Sequence, residues 1–278
     1  MIPYITTPEL IARYDVLLLD AYGVLVDEAG ALPGAVELIR RLNELRKPYY
    51  VVTNDASKLP ATAAKRYQRF ELSVDADCII TSGSLLASYF SSHGFNGVRC
   101  AVLGTEDSLE YVRLAGGRVV SPTDGFDVLV IADESGFPFL ETANAALTFI
   151  CQAVDRDQPV HLVLTNPDLT YPSSDQRLGF AAGSVAAMFE TVLRSRYPHR
   201  DDLRFSRLGK PDATLFAEAV RRSGTRNAVM VGDSLETDIR GARAFGLDAA
   251  WLTVDGEAAA LAMIPETFRP TYLVRSLS

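Results

Sequence analysis

Four places in the chain put an acidic, hydroxyl or basic side chain directly after an apolar run or just before a helical segment. Asp20 follows VLLL, Thr53 closes YYVVT, Lys210 stands in RLGKPD, and MVGDSLETD contains Asp233 and Asp238. A single aspartate after a strand is most often a turn or helix-capping residue. If these groups meet at one edge of a sheet, however, a carboxylate could act as nucleophile while the hydroxyl and ammonium groups hold an anion.

The three aspartates together predict a metal site. Asp20, Asp233 and Asp238 would repel one another strongly at one sheet edge unless a cation lay among them. Carboxylate oxygens suit Mg²⁺, which keeps positions open for a substrate phosphate. Gly23 permits a tight turn beneath an anion, and Thr53 in VVTND is accompanied by exposed backbone amides. The residues therefore predict phosphoryl transfer through an aspartyl-phosphate on Asp20.

Eight short apolar runs, separated by amphipathic segments, predict the elements that position these groups. The runs are 16–20, 49–54, 78–81, 99–104, 127–133, 161–166, 227–233 and 249–254. They are continuous rather than alternating, as in parallel sheets that helices cover on both faces. In the segment 34–45, one helical face gathers apolar residues: Ala35, Leu38, Ile39, Leu42 and Leu45. This alternation predicts an α/β fold with a Rossmann-like, doubly wound parallel-sheet core, whose ligands bind at the carboxyl ends of the strands.

Composition and charge argue against several classes of function. The 278 residues are 48% hydrophobic and 22% charged, as in ordinary soluble globular proteins. The net charge of −8 argues against a nucleic-acid partner, because phosphate backbones are bound through basic patches. We predict no membrane span, since no apolar run approaches roughly 18 residues, and no signal peptide. Cys78, Cys100 and Cys151 lie far apart, which favours a reducing, cytoplasmic location.

The order and context of the motifs resemble those of the haloacid dehalogenase superfamily of aspartate-nucleophile hydrolases. LLLDAYGVL, VVTND, LGKPD and MVGDSLETD stand where that superfamily has its four motifs. By this resemblance Asp20 is the nucleophile, Thr53 binds phosphate and Lys210 steadies charge. The implied cofactor is Mg²⁺, and the implied partner is a small phosphorylated substrate. The implied metal ligands are Asp20, the carbonyl of Tyr22, Asp233 and Asp238. The implied substrate contacts are Tyr22, Gly23, Asn54, Asp55 and Lys210.

The spacing of the motifs indicates where a second domain is inserted. From Asp20 to Thr53 there are 33 residues, too few for a separate domain, whereas 157 residues separate Thr53 from Lys210. This arrangement resembles the branch with a large α/β cap after the second motif, which includes nitrophenyl-phosphatases and sugar-phosphate phosphatases. We expect a core of residues 1–82 and 179–278 with a smaller α/β cap, residues 83–178, that selects the substrate. The resemblance also implies a homodimer that forms through the cap.

Tyr22 departs from the superfamily pattern. Phosphatases of the superfamily carry a second aspartate two residues after the nucleophile, which protonates the leaving oxygen and then activates water. A phenol is a reluctant base at neutral pH. Because general acid–base assistance contributes about 10²- to 10⁴-fold, we expect hydrolysis to be slow.

Three interpretations stay open. The first is a Mg²⁺-dependent phosphatase, weak or specialised. The second is a dehalogenase-type enzyme, because DAYG followed by an apolar pair also resembles the first motif of the haloacid dehalogenases. Those enzymes insert their cap after the first motif and need no Mg²⁺, which weakens this interpretation. The third is a catalytically idle phosphate-binding or regulatory protein, against which the retention of Asp20, Thr53, Lys210, Asp233 and Asp238 argues.

Overall fold

The computed structural model describes residues 2–173, 177–253, 261 and 264–277. The chain forms two units, each built around its own parallel sheet. The first unit comprises Met1–Thr53, Pro60–Ile80 and Lys210–Ser278, and the second comprises Asn54–Leu59 and Thr81–Gly209. The α/β prediction is therefore confirmed, because each unit combines a parallel sheet with helices.

Each of the eight predicted runs overlaps a strand, although the last predicted residue, Val254, lies outside the described residues. The strands are β1 (Val16–Leu19), β2 (Tyr49–Thr53), β3 (Ile79–Thr81), β4 (Arg99–Leu103), β5 (Arg118–Val119), β6 (Val128–Ile131), β7 (His161–Leu164), β8 (Thr170–Ser173), β9 (Arg177–Phe180), β10 (Ser206–Arg207), β11 (Ala228–Gly232), β12 (Asp248–Leu252) and β13 (Tyr272–Val274). Short or exposed strands such as β5, β9 and β10 were not predicted, because they carry no continuous apolar run.

The helices alternate with these strands along the chain. They are α1 (Thr7–Arg13), α2 (Ala35–Glu44), α3 (Pro60–Arg69), α4 (Leu86–His93), α5 (Glu106–Leu114), α6 (Phe139–Asp155), α7 (Ala182–Arg196), α8 (Ala213–Ser223) and α9 (Arg240–Phe245). A π-helical turn, Leu235–Ile239, directly precedes α9. Among the described residues we find no helix with the length and hydrophobicity of a membrane span.

Strand β1 is central in the sheet of the first unit. The strand order is β13-β12-β11-β1-β2-β3, and β1 pairs in parallel with β2 on one side and β11 on the other. All four residues of β1 are buried, which accounts for its continuous apolar sequence. Because parallel strands end at the same edge, residues that follow β1, β2 and β11 are brought together.

Helix α2 shows where the periodicity of the sequence agrees with the structure and where it does not. Leu38, Ile39 and Leu42 are buried, as the apolar face predicted. Leu45 was predicted on the same face, but it lies in the C-cap position and is 57% exposed.

The second unit has a five-stranded sheet in the order β10-β7-β6-β4-β5 and a separate antiparallel hairpin, β8–β9. Its boundary differs from the predicted range 83–178. Helix α7 buries Val185, Phe189 and Leu193 in the hydrophobic core of this unit, and β10 pairs in parallel with β7. Residues up to Gly209 therefore belong to the second unit rather than to the first.

The segment Asn54–Leu59 also belongs to the second unit, although it directly follows β2 in the chain. The Ser108 hydroxyl donates to the Ala56 carbonyl at 2.9 Å, and the Thr105 hydroxyl donates to the Ser57 carbonyl at 2.6 Å. The Leu59 N–H donates to Asp107 Oδ2 at 2.9 Å. The start of α5 thus binds this segment, and no local sequence signal predicts such a long-range contact.

Candidate active site

The carboxyl ends of β1, β2 and β11 position three of the predicted site residues. Asp20 directly follows β1, Thr53 is the last residue of β2, and Asp233 directly follows β11. The Asp20 N–H donates to the Val231 carbonyl at 3.0 Å, so the chain is still paired with β11 at this point. Asp20 and Thr53 are 9% and 5% exposed. The sheet therefore fixes these side chains at one buried edge.

Lys210 lies between two carboxylates in the same unit. Its Nζ is 2.6 Å from Asp20 Oδ1 and 2.7 Å from Asp238 Oδ1, and it donates to the Val52 carbonyl at 3.0 Å. Lys210 is 1% exposed and Asp238 is fully buried. The ammonium group, which has three N–H donors, thus faces three oxygen acceptors.

The charges of this cluster do not balance. Burial alone would lower the pKa of Lys210, but the carboxylates of Asp20 and Asp238 raise it above its ordinary value. Burial, and then the charge of Asp20, raise the pKa of Asp238 well above its usual range, and Lys210 offsets this only in part. The directions of these two pKa shifts agree with each other if Lys210 stays charged and pairs with both carboxylates. One excess negative charge is then buried, and a proton or a further cation would neutralise it.

A third carboxylate completes an acidic cluster. One oxygen each of Asp20, Asp233 and Asp238 lies within 4.8 Å of the others, and Asp233 is exposed to solvent. The Ser234 N–H donates to Asp238 Oδ2 at 3.2 Å, and the Trp251 indole N–H donates to the Asp233 carbonyl at 2.8 Å. The all-oxygen donor set and the excess negative charge fit Mg²⁺. Trp251 was not predicted, because an indole on a strand is usually a core residue.

Gly23 leaves the space that the Asp233 carboxylate occupies. Its φ is +82°, and a Cβ built on it would stand 2.0 Å from Asp233 Oδ2. The glycine therefore matters for two separate reasons: the left-handed backbone conformation and the close approach of a carboxylate.

We expect Gly23→Ala to weaken Mg²⁺ binding by about 10-fold or more, because the added methyl group would displace Asp233. Gly94 provides a matched control, since its φ is +68° and a Cβ there would meet nothing within 4 Å. Both variants should lose about 1 kcal/mol of unfolding free energy from the backbone conformation. Calorimetric titration with Mg²⁺ should separate them, and equal Mg²⁺ affinity for the two variants would contradict the assigned role of Gly23.

Tyr22 is held by a residue that the sequence did not point to. Its half-buried ring packs against the core of the first unit, and its hydroxyl accepts a hydrogen bond from Arg66 Nη2 at 2.8 Å. Arg66 lies on α3, 44 residues away along the chain. Nothing in its local sequence distinguishes it from an ordinary surface arginine of an amphipathic helix.

The predicted substrate contacts Asn54 and Asp55 lie in the second unit. Asn54 Nδ2 donates to Asp168 Oδ1 at 2.9 Å, which joins the TND segment 53–55 to the similar TNPD segment 165–168. Asp55 Oδ1 accepts from the Ser57 N–H at 2.7 Å, the arrangement of a turn residue. Substrate contacts by Asn54 and Asp55 stay predictions.

Comparison with known proteins connects these motifs to one family. Residues 17–118 match the model of a haloacid dehalogenase-like hydrolase, and residues 207–278 match a second model of hydrolases of this kind. The first match contains Asp20 and Thr53, and the second contains Lys210, Asp233 and Asp238. The two models together match more than half of the chain.

Relatives and solved structures cover nearly all of the chain. The dihydroxyacetone phosphatase of Corynebacterium glutamicum is 27% identical over 268 residues, which cover 94% of this chain and 88% of the relative. The structure of a possible sugar phosphatase of the same superfamily from Cytophaga hutchinsonii superposes with a TM-score of 0.83 at 29% identity, covering 100% of this chain and 99% of that one.

A second structural neighbour was solved with a metal. It is the glycerol phosphate phosphatase of Mycobacterium tuberculosis in complex with magnesium, with a TM-score of 0.80 at 27% identity, covering 96% of this chain and 77% of that one. The family models and the structural neighbour from Cytophaga hutchinsonii point to the same superfamily. The chain belongs to the haloacid dehalogenase-like hydrolases.

Proposed function

We propose that the chain is a Mg²⁺-dependent phosphatase that hydrolyses a small phosphorylated metabolite through an aspartyl-phosphate on Asp20. The observation that carries this proposal is the cluster in which Lys210 contacts Asp20 and Asp238, with Asp233 completing a site for a cation. Relatives named dihydroxyacetone phosphatase and glycerol phosphate phosphatase support the same class of substrate.

The two carboxylate oxygens of Asp20 have different surroundings. Oδ1 lies 2.6 Å from Lys210 Nζ and accepts the Ala21 N–H at 2.7 Å, whereas among the described residues Oδ2 has no hydrogen-bond partner. In the proposed reaction Oδ2 attacks phosphorus, the bond from phosphorus to the leaving oxygen breaks, and the leaving oxygen takes its proton from water. Water then hydrolyses the aspartyl-phosphate, which releases inorganic phosphate and restores the Asp20 carboxylate.

The remaining site residues bind and neutralise the phosphate. The Thr53 hydroxyl would hold a phosphate oxygen, and Lys210 would hold the Asp20 carboxylate in place through its contact with Oδ1. Asp20, the Tyr22 carbonyl, Asp233 and Asp238 would hold Mg²⁺, which when bound supplies positive charge that draws the phosphate towards Asp20. No aspartate stands at position 22 to protonate the leaving oxygen, so we propose slow turnover, fastest for esters with good leaving groups.

Three assays run side by side test this proposal. Dihydroxyacetone phosphate and p-nitrophenyl phosphate are incubated with the protein in Mg²⁺ or in EDTA, and chloride release is followed from a 2-haloacid. Phosphate release that requires Mg²⁺ supports the phosphatase. Chloride release without Mg²⁺ would instead support the dehalogenase-type alternative. Phosphate binding with no turnover of any ester would support the idle binding protein.

We expect Mg²⁺ to raise the melting temperature, because a ligand that binds only the folded state stabilises it. At about 100 times its Kd the gain is about 2.7 kcal/mol, or about 5 °C in a chain of this length. The gain should grow as pH rises through the acidic range, because the pKa of Asp238 is raised by burial and by Asp20.

The sign of this pH dependence follows from the same pKa. Without metal, the folded state retains a proton on Asp238 that the unfolded state has already released, so the free energy of unfolding should fall as pH rises from the ordinary aspartate range to the raised pKa. Mg²⁺ replaces that proton and should reverse the trend. Differential scanning calorimetry at several pH values checks both, and a melting temperature unmoved by saturating Mg²⁺ at neutral pH would contradict the site.

We propose that the second unit contributes substrate selection, as the cap domain of the resemblance does. Its extent in the structure, Asn54–Leu59 and Thr81–Gly209, is the range to be exchanged or altered in specificity experiments. The homodimer that forms through this unit and the cytoplasmic location stay predictions.

A further inference from the structure

Arg66 contacts an aromatic neighbour, Tyr22, rather than a carboxylate. Its Nη2 donates to the Tyr22 hydroxyl at 2.8 Å, and its guanidinium carbon lies 5.3 Å from the centre of the Tyr22 ring. It also lies 5.5 Å from the centre of the Phe70 ring, and Nη2 is 3.5 Å from the Asp27 carbonyl. Arg66 is half-buried, and its guanidinium lies against both rings.

Within the part of the chain that the structure describes, no carboxylate forms an ion pair with Arg66. Arg40 on α2 shows the ordinary alternative, because it pairs with Glu37 and Glu44 on its own helix. Desolvating part of a guanidinium without an opposite charge is unfavourable, so the position of Arg66 calls for a compensating role. The shorter of the two hydrogen bonds that Arg66 donates goes to the Tyr22 hydroxyl.

The direction of this hydrogen bond determines the donor and acceptor roles of the Tyr22 hydroxyl. Arginine is only a donor, so the phenol oxygen must accept, and the phenol hydrogen must point to a different acceptor. Among the described residues, the Tyr22 hydroxyl has no acceptor. Its hydrogen is therefore offered to solvent in the free protein and is available to a ligand in a complex.

We propose that Arg66 is a positioning residue that turns the Tyr22 O–H towards an oxygen of the substrate's leaving group. Tyr22 stands two residues after Asp20, at the end of the strand that carries the nucleophile. A donor held there favours the binding of phosphate esters whose leaving group is a polyol, which offers ester and hydroxyl oxygens, over the binding of free phosphate. The inference rests on the proposed function and names the substrate class of that same site.

A binding experiment in an inactive background tests this inference independently of turnover. Asp20→Asn protein is combined with Tyr22→Phe, Arg66→Met or both, and glycerol phosphate and inorganic phosphate are titrated in by calorimetry with Mg²⁺ present. Each single change should weaken glycerol phosphate binding by about 5- to 10-fold, the effect of one lost hydrogen bond. Inorganic phosphate should bind within about 2-fold of the background affinity, since it has no leaving group.

Two further variants separate positioning from a general effect of charge or packing. The double variant should bind no more weakly than the weaker single variant, because both changes remove the same interaction. Arg66→Lys keeps a donor-only group and should restore part of the affinity. Arg69→Met removes the same charge from an exposed position one turn further along α3 and should leave both affinities unchanged.

Losses that are equal for both ligands, or additive in the double variant, would overturn the assignment of Arg66. The proposed function fails in a different way, since wild-type protein would then release no phosphate from any ester. Failure of the Tyr22→Phe and Arg66→Met changes to alter the ratio of the two affinities in the Asp20→Asn protein would overturn the assignment of Arg66 even when the wild-type protein hydrolyses esters.

Discussion

Replacing Asp20 by asparagine should abolish phosphate release while the protein stays folded. The change keeps the size of the side chain but removes the charge that attacks phosphorus, so turnover should fall by at least about 10³-fold. Stability should survive, because Lys210 keeps its ion pair with Asp238, 2.7 Å away, and the buried excess of negative charge disappears. Phosphate release and urea denaturation measure the two effects on the same preparation.

Asp15→Asn is the matched control for this variant. Asp15 lies just before the same strand, at its opposite end, and is exposed. It should retain wild-type turnover. Beryllium fluoride, which mimics a phosphoryl group on a carboxylate, should raise the melting temperature of the wild type and of Asp15→Asn in the presence of Mg²⁺, and leave that of Asp20→Asn unmoved. Wild-type turnover by Asp20→Asn would show that the chemistry lies elsewhere.

The part of the site that sequence could predict is the part that strand ends determine. A continuous apolar run marks a buried parallel strand, so the residue after it must lie at the carboxyl edge of the sheet. Asp20, Thr53 and Asp233 follow from that rule alone. Lys210 and Asp238 are indicated by their residue types near the starts of helical segments and by the order of the motifs, and the structure brings both to Asp20.

The parts that could not be predicted depend on packing between distant segments. The contact between Arg66 and Tyr22 requires α3 to lie beside the loop after β1, and an amphipathic pattern does not reveal which neighbour a helix will choose. The extent of the second unit also depends on such packing, since the unit reaches Gly209 in the structure whereas the sequence predicts a cap over residues 83–178. The apolar face of α7 would suit either sheet, and only the burial of Phe189 and the pairing of β10 decide between them.

Replacing Lys210 by methionine should destabilise the folded state more than any other single change at the site. Methionine fills similar space but leaves Asp20 and Asp238 buried without their ammonium partner, and such a loss costs about 3–5 kcal/mol. Turnover should also fall, since Asp20 loses the group that holds Oδ1. Urea denaturation with and without Mg²⁺ measures the change in unfolding free energy.

The effects of Mg²⁺, pH and a second substitution on Lys210→Met show why its stability is lost. Saturating Mg²⁺ should stabilise this variant by more than it stabilises the wild type, because the metal is then the remaining cation in the cluster. Lower pH should help as well, since the pKa of Asp238 is already raised by burial and by Asp20, and protonation removes a buried charge. Adding Asp238→Asn should recover part of the lost stability. If neither Mg²⁺ nor that second change restores stability, the loss reflects packing around the side chain, and the electrostatic account of the cluster is wrong.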